Sequence, residues 1–128
     1  METTESILIS IKKLLGIDEN YTHFDADIVM HINSVLSILT QMGVGPKNGF
    51  SISGKDETWG EFLPMEQSVF PMVRSYVYLK VRLLFDPPVS SAAMEAMNRQ
   101  ISEFEWRLYV AADPIENPSG KEEIQNGC

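Results

Sequence analysis

A chain of 128 residues with 44 % apolar side chains has the material for one core and one domain. Its net charge of −8 argues against grip on free nucleic acid, which depends on Lys and Arg neutralising phosphates. No apolar run reaches the eighteen or so residues needed to span a bilayer. The single cysteine, Cys128, excludes an intramolecular disulfide. The acidic, hydroxyl-rich start METTESILIS has the wrong charge for a signal peptide, so a cytoplasmic protein is expected.

In chain order, Thr3 and Thr4 are candidate N-caps of a first helix, whose Ile7, Leu8, Ile11, Leu14 and Leu15 make one apolar stripe. Gly16 stands where a left-handed C-terminal residue belongs. After the connector IDENYTHF, Asp25 is expected to cap a second helix reaching Gln41, with Phe24 placed to staple against Val29. Ile28, Ile32, Val35, Leu36 and Leu39 follow the helical period, and Gly43 and Gly45-Pro46 end it.

The segment QMGVGPKNGFSISGKDETWGEF, Gln41 to Phe62, has no helical period. It holds five glycines and a proline, yet also Val44, Phe50, Ile52, Trp59 and Phe62. Disordered segments are poor in aromatics, so this one is expected to pack against something. GFSIS suggests a short extended piece, and DETWGEFL one or two helical turns.

A third helix runs to Phe85 and is apolar around most of its girth, through Val73, Tyr76, Val77, Leu79, Val81, Leu83, Leu84 and Phe85. With Ser68 as N-cap, Pro71 falls in the first turn; a start near Pro64 would imply a kink. Asp86-Pro87-Pro88 terminates the helix. Ser90 or Ser91 caps a fourth helix with a heptad-like seam of Met94, Met97, Ile101, Phe104 and Leu108, and Asp113-Pro114 is expected to stop it. The remaining DPIENPSGKEEIQNGC is acidic and poor in apolar residues, which predicts a flexible tail. The fold class expected is therefore all-α: a bundle of about four helices, with a long, mostly irregular loop between helices two and three. Residues 1–112 would form the helical domain and 113–128 the tail.

Chemistry is not signalled. His23 and His31 lack metal-ligand spacing, no serine lies in GxSxG, and the glycines form neither phosphate-binding pattern. The carboxylate pairs Asp18/Glu19 and Glu103/Glu105 do not share a helix face and read as solvated, while Met94 and Met97 read as core filling. One charge feature stands out: from Ser68 to Phe85 there are Arg74, Lys80 and Arg82 and no acid. These side chains either pair with Glu95, Glu103 or Glu105 of the fourth helix or meet an acidic face on another copy.

Three segments read together resemble the head–tail connector (adaptor) proteins of long-tailed phages and prophages, the family of gene-six-product-like connectors. They are DADIVMHINSVLSILTQMGVGPKNGF, then ETWGEFL, then RSYVYLKVRLLFDPP followed by MNRQISEFEWRL, covering roughly Ile7 to Leu108. The resemblance implies a structural subunit, without catalysis or cofactor, that forms a ring of about a dozen copies through heterologous contacts beneath the portal protein. Such a ring would extend the DNA channel, let DNA pass without specific binding, and offer a platform to a neck or tail-completion protein. Its place would be the virion neck, with assembly in the host cytoplasm. On this reading Val44, Phe50, Ile52, Trp59 and Phe62 are subunit-interface residues, and Gly43, Gly45, Pro46 and Gly49 shape the loop. Arg74, Lys80 and Arg82 are candidate intersubunit cations. The alternative is a small acidic helical interaction or regulatory module of another assembly, also non-catalytic.

Overall fold

The computed structural model describes residues 4–64 and 68–116, with side-chain environments to Ala112. The expected all-α architecture is present: α1 (Ile7–Leu15), α2 (Asp25–Gln41), the single turn α3 (Trp59–Phe62), α4 (Phe70–Phe85) and α5 (Ser91–Glu116). Four are the helices read from the sequence, and α3 is the turn expected in DETWGEFL. The helix α4 is central and packs against α1, α2 and α5.

The start of α1 differs from expectation, for a reason that local sequence does not carry. The cap is Ser6, whose Oγ accepts a hydrogen bond from the Ile9 amide at 3.2 Å; Thr3 lies outside the described residues. Ser6 forms an isolated antiparallel bridge with Thr58. The Ile7 amide donates to the Glu57 carbonyl at 3.0 Å, and the Trp59 amide donates to the Glu5 carbonyl at 3.2 Å. This pairing holds Ser6 extended, so the helix can begin only after it. At the other end Gly16 has φ 83° and its amide reaches the carbonyls of Lys12 and Lys13, as a left-handed C-terminal residue should.

Asp25 is the first residue of α2 rather than its cap; Phe24 occupies the capping position without a side-chain bond. The Asp25 carboxylate instead lies 2.8 Å from the Nζ of Lys12. Lys12 is wholly buried, and its ammonium also donates to the carbonyls of Glu19 (3.1 Å) and Tyr21 (2.8 Å). A buried cation is tolerable only when so surrounded. Here it ties α1, the connector and the first turn of α2 together. An acid at that helix start also complements the helix dipole.

Pro71 lies in the first turn of α4, where the missing amide costs nothing, and Asp86 ends the helix before Pro87-Pro88. Ser90 accepts from the Ala93 amide at 3.1 Å at the start of α5. The expected stop at Asp113-Pro114 is corrected, because α5 continues to Glu116. A proline deep inside a helix both lacks the amide for the carbonyl four residues back and crowds it, but Pro114 is followed by only two residues of α5, so few bonds are affected. Most of the seam read from the sequence faces the core: Ile101 and Leu108 are buried in it and Met97 and Phe104 pack against it, whereas Met94, also read as core filling, is only partly buried and outside it. Residues beyond Glu116, Cys128 included, lie outside the described residues.

The segment between α2 and α3 is irregular, as expected, and forms no strand among the described residues. Its backbone polar groups find a side chain instead. Asn33, in the middle of α2, donates from Nδ2 to the Ile52 carbonyl at 3.0 Å and accepts the Ile52 amide on Oδ1 at 2.7 Å. One amide side chain thus replaces a strand partner and allows Ile52 to be buried with its backbone satisfied. Glu57 closes the next turn, accepting from the Ser53 amide, the Ser53 hydroxyl and the Gly54 amide. Slight burial acts to raise the Glu57 pKa, but these bonds together outweigh it and hold the carboxyl below its ordinary value.

Candidate subunit interface

The sequence-level interface residues go mainly inward. Val44, Ile52, Trp59 and Phe62 belong to the chain's own core, and Trp59 and Phe62 have no exposed surface. The expectation that they wait for a neighbouring copy is corrected: the loop folds back over its own helices. Trp59 is anchored by its indole N–H, which donates to Ser10 Oγ at 2.7 Å, while Ser10 donates to the Ile7 carbonyl. Its ring meets Phe70 edge-on with centroids 5.6 Å apart. Phe50 is half-buried and rests on Phe62 at 5.5 Å.

A capping box fixes α3: Thr58 Oγ1 accepts from the Glu61 amide, and Glu61 returns a carboxylate oxygen to the Thr58 amide. This turn places Phe62 against Gly45, where a Cβ would fall 2.5 Å from the ring. Gly45 also has φ 90°, so both backbone and space demand glycine there. Gly43 and Gly49 have positive φ too, but around Gly49 the space is open. Pro46 is half-buried between these glycines, and its carbonyl accepts the Gly49 amide in a tight turn.

The three cations of α4 divide. Lys80 lies 3.9 Å from Glu105 of α5, which also accepts a 2.8 Å bond from the hydroxyl of Tyr76. Glu105 is therefore held by α4 rather than simply solvated, while Glu103 pairs with Arg107 at 2.8 Å. Burial of the Tyr76 ring, followed by the bond to Glu105 and its charge, raises the Tyr76 pKa well above the ordinary tyrosine range. Arg74 lies over the Phe70 ring at 5.4 Å, and Arg82 donates to the Tyr78 hydroxyl and the Asp86 carbonyl. Arg74 and Arg82 have no carboxylate partner in these contacts.

What remains uncovered lies mostly elsewhere. On α5, Trp106 is 65 % exposed, Tyr109 58 % and Val110 42 %. Trp106 is two positions from the buried Leu108, a rotation of about 200° around the helix, so it points away from the core. Tyr109 and Trp106 border a shallow groove whose far side is Ile38 of α2 and Met42, the residue that follows the helix. Leu84 and Val89, beside the turn from α4 to α5, are exposed as well. Sequence reading missed this surface because it followed only the inward seam of α5. The signal was the run WRLYV, which puts Trp106, Tyr109 and Val110 off that seam.

Chemically, the described residues gather no three His, Cys, Asp or Glu side chains able to hold a metal ion, and no helix among them is long and apolar enough to cross a membrane. His23 is exposed and meets Phe24 edge-on at 4.8 Å; Phe24 in turn meets Phe85.

The described residues are thus all-helical around one buried core, with Trp106 and Tyr109 of α5 exposed. A family model described as phage connector protein matches residues 7–114. The chain belongs to that family, and its role is that of a structural phage connector. Comparison with curated proteins and with solved structures gave no match.

Proposed function

We propose that this chain is a non-catalytic head–tail connector subunit that assembles into a ring beneath the portal of the filled head. Family membership over residues 7–114 carries this reading. The exposed Leu84, Val89 and Tyr109 support it, since a connector must keep apolar surface available for its neighbours. The ring extends the DNA channel and presents a platform to a neck or tail-completion protein. A net charge of −8 suits a passage through which DNA slides, because it avoids the counterion-release affinity of a basic surface. On this proposal the subunit belongs to the virion neck and is assembled in the host cytoplasm.

The test is reconstitution. Purified protein mixed with the portal protein of the same phage should co-sediment with it and appear in electron micrographs as an added ring. A protein that never joins portal and is absent from finished virions would end the reading.

A further inference from the structure

The outward face of α5 has a pattern of its own. Ala92, Ala96, Arg99, Glu103, Trp106 and Val110 recur at alternating steps of four and three, the spacing of a helix–helix seam, and all six are exposed. This second seam lies on the side of the helix away from Ile101 and Leu108. Charges at every fourth position cross it, with Arg99 and Glu103 in the seam and Glu95 and Arg107 flanking it, so the face is neutral on a chain of net charge −8. Two such chains repel over most of their surfaces, and this neutral, partly apolar strip is where they can approach.

We propose that the outward face of α5 docks against the same face of a second copy, antiparallel, about a two-fold axis level with residue 101. The charge order selects that arrangement. With the helices crossing there, Glu95 faces the partner's Arg107 and Arg99 faces the partner's Glu103, and the two-fold repeats both pairs. Parallel docking would set each charge against its own kind. Sliding the antiparallel pair by one turn would oppose Arg99 to the partner's Arg99 or Glu103 to the partner's Glu103. Size is complementary in the same register. Trp106 meets the partner's Ala96 and Val110 meets the partner's Ala92, so large side chains fall on small ones and the helices can close to packing distance.

The contact is isologous and closes at two copies, whereas a ring needs heterologous contacts. It is read from α5 alone and does not rest on the connector reading, so the two can fail separately. The existing Glu103–Arg107 pair is no obstacle, because both side chains are more than half exposed and such surface pairs contribute little.

Sedimentation equilibrium of the full chain carrying Cys128→Ser, over a wide concentration range, tests the proposal. A monomer–dimer equilibrium is expected. Arg99→Glu and Glu103→Arg should each weaken it about tenfold or more, because the two-fold places every change in two contacts. The double variant Arg99→Glu/Glu103→Arg should restore it, since the complementarity is merely exchanged. Circular dichroism of each variant confirms that α5 is intact. A chain that stays monomeric to its solubility limit overturns the proposal, as does a dimer or larger assembly indifferent to the single charge changes.

Discussion

Between α2 and α3 the backbone follows no regular pattern, yet it delivers Val44 and Ile52 into the core and leads into a turn that buries Trp59 and Phe62 completely. The helix α5 is regular over 26 residues, yet it leaves Trp106, Tyr109 and Val110 in water. The irregular region is the self-sufficient one, and the regular helix is the one with surface to spare. Regularity satisfies backbone hydrogen bonds, but it does not decide whether a side chain has a partner. The loop reaches the same satisfaction through Asn33, Glu57 and the Ser6–Thr58 bridge, and its aromatic residues then supply the burial.

That contrast can be broken at graded cost. Trp59→Ala should have the largest effect, about 3–5 kcal/mol by chemical denaturation, because it opens a cavity and leaves Ser10 without its donor. If the loss were under about 1 kcal/mol, the loop would not be part of the core. Gly45→Ala should cost about 2 kcal/mol or more, combining positive φ with the contact to Phe62, whereas Gly49→Ala, with equal φ and open space, should cost only the backbone term of about 1–2 kcal/mol. Equal losses in the two variants would show that Phe62 does not crowd Gly45. Asn33→Ala strands the amide and carbonyl of Ile52 and should cost about 2 kcal/mol, with faster hydrogen exchange at Ile52 as the local readout.

A smaller effect is expected at high pH. The Tyr76 pKa is raised in the folded state above the ordinary 10.0, so its contribution is complete below that value and declines as pH rises through it toward the folded pKa. Tyr76→Phe should flatten this alkaline decline in a melting series; an unchanged slope would assign the decline to other groups. On the α5 side, Trp106→Ala should alter monomer stability by less than about 0.5 kcal/mol while reducing self-association. A large loss of monomer stability would place Trp106 in the core and erase the contrast.

Much of the fold was legible because its signals are local. The period of Ile28 to Leu39, the left-handed Gly16 and the Asp86-Pro87-Pro88 stop each act within a few residues. The seam of α5 that carries Ile101 and Leu108 was equally legible. The burial of Lys12 was not, since a lysine in an amphipathic helix ordinarily reaches solvent. Its partners are carbonyls of Glu19 and Tyr21 and a carboxylate in another helix. The candidate interface was misplaced for a related reason. Composition shows that the loop's aromatic residues need cover, but it does not say whose surface provides it.

Sequence by itself determined the helices, their inward stripes, the irregularity of the 42–58 segment and the family. Only the tertiary structure decided that Ser6 rather than an earlier threonine caps α1, that Asn33 holds Ile52, and that Trp59 turns inward while Trp106 turns outward. Periodicity and capping are set by neighbours along the chain, whereas burial depends on which distant groups meet, and two tryptophans of the same type carry no mark of the difference.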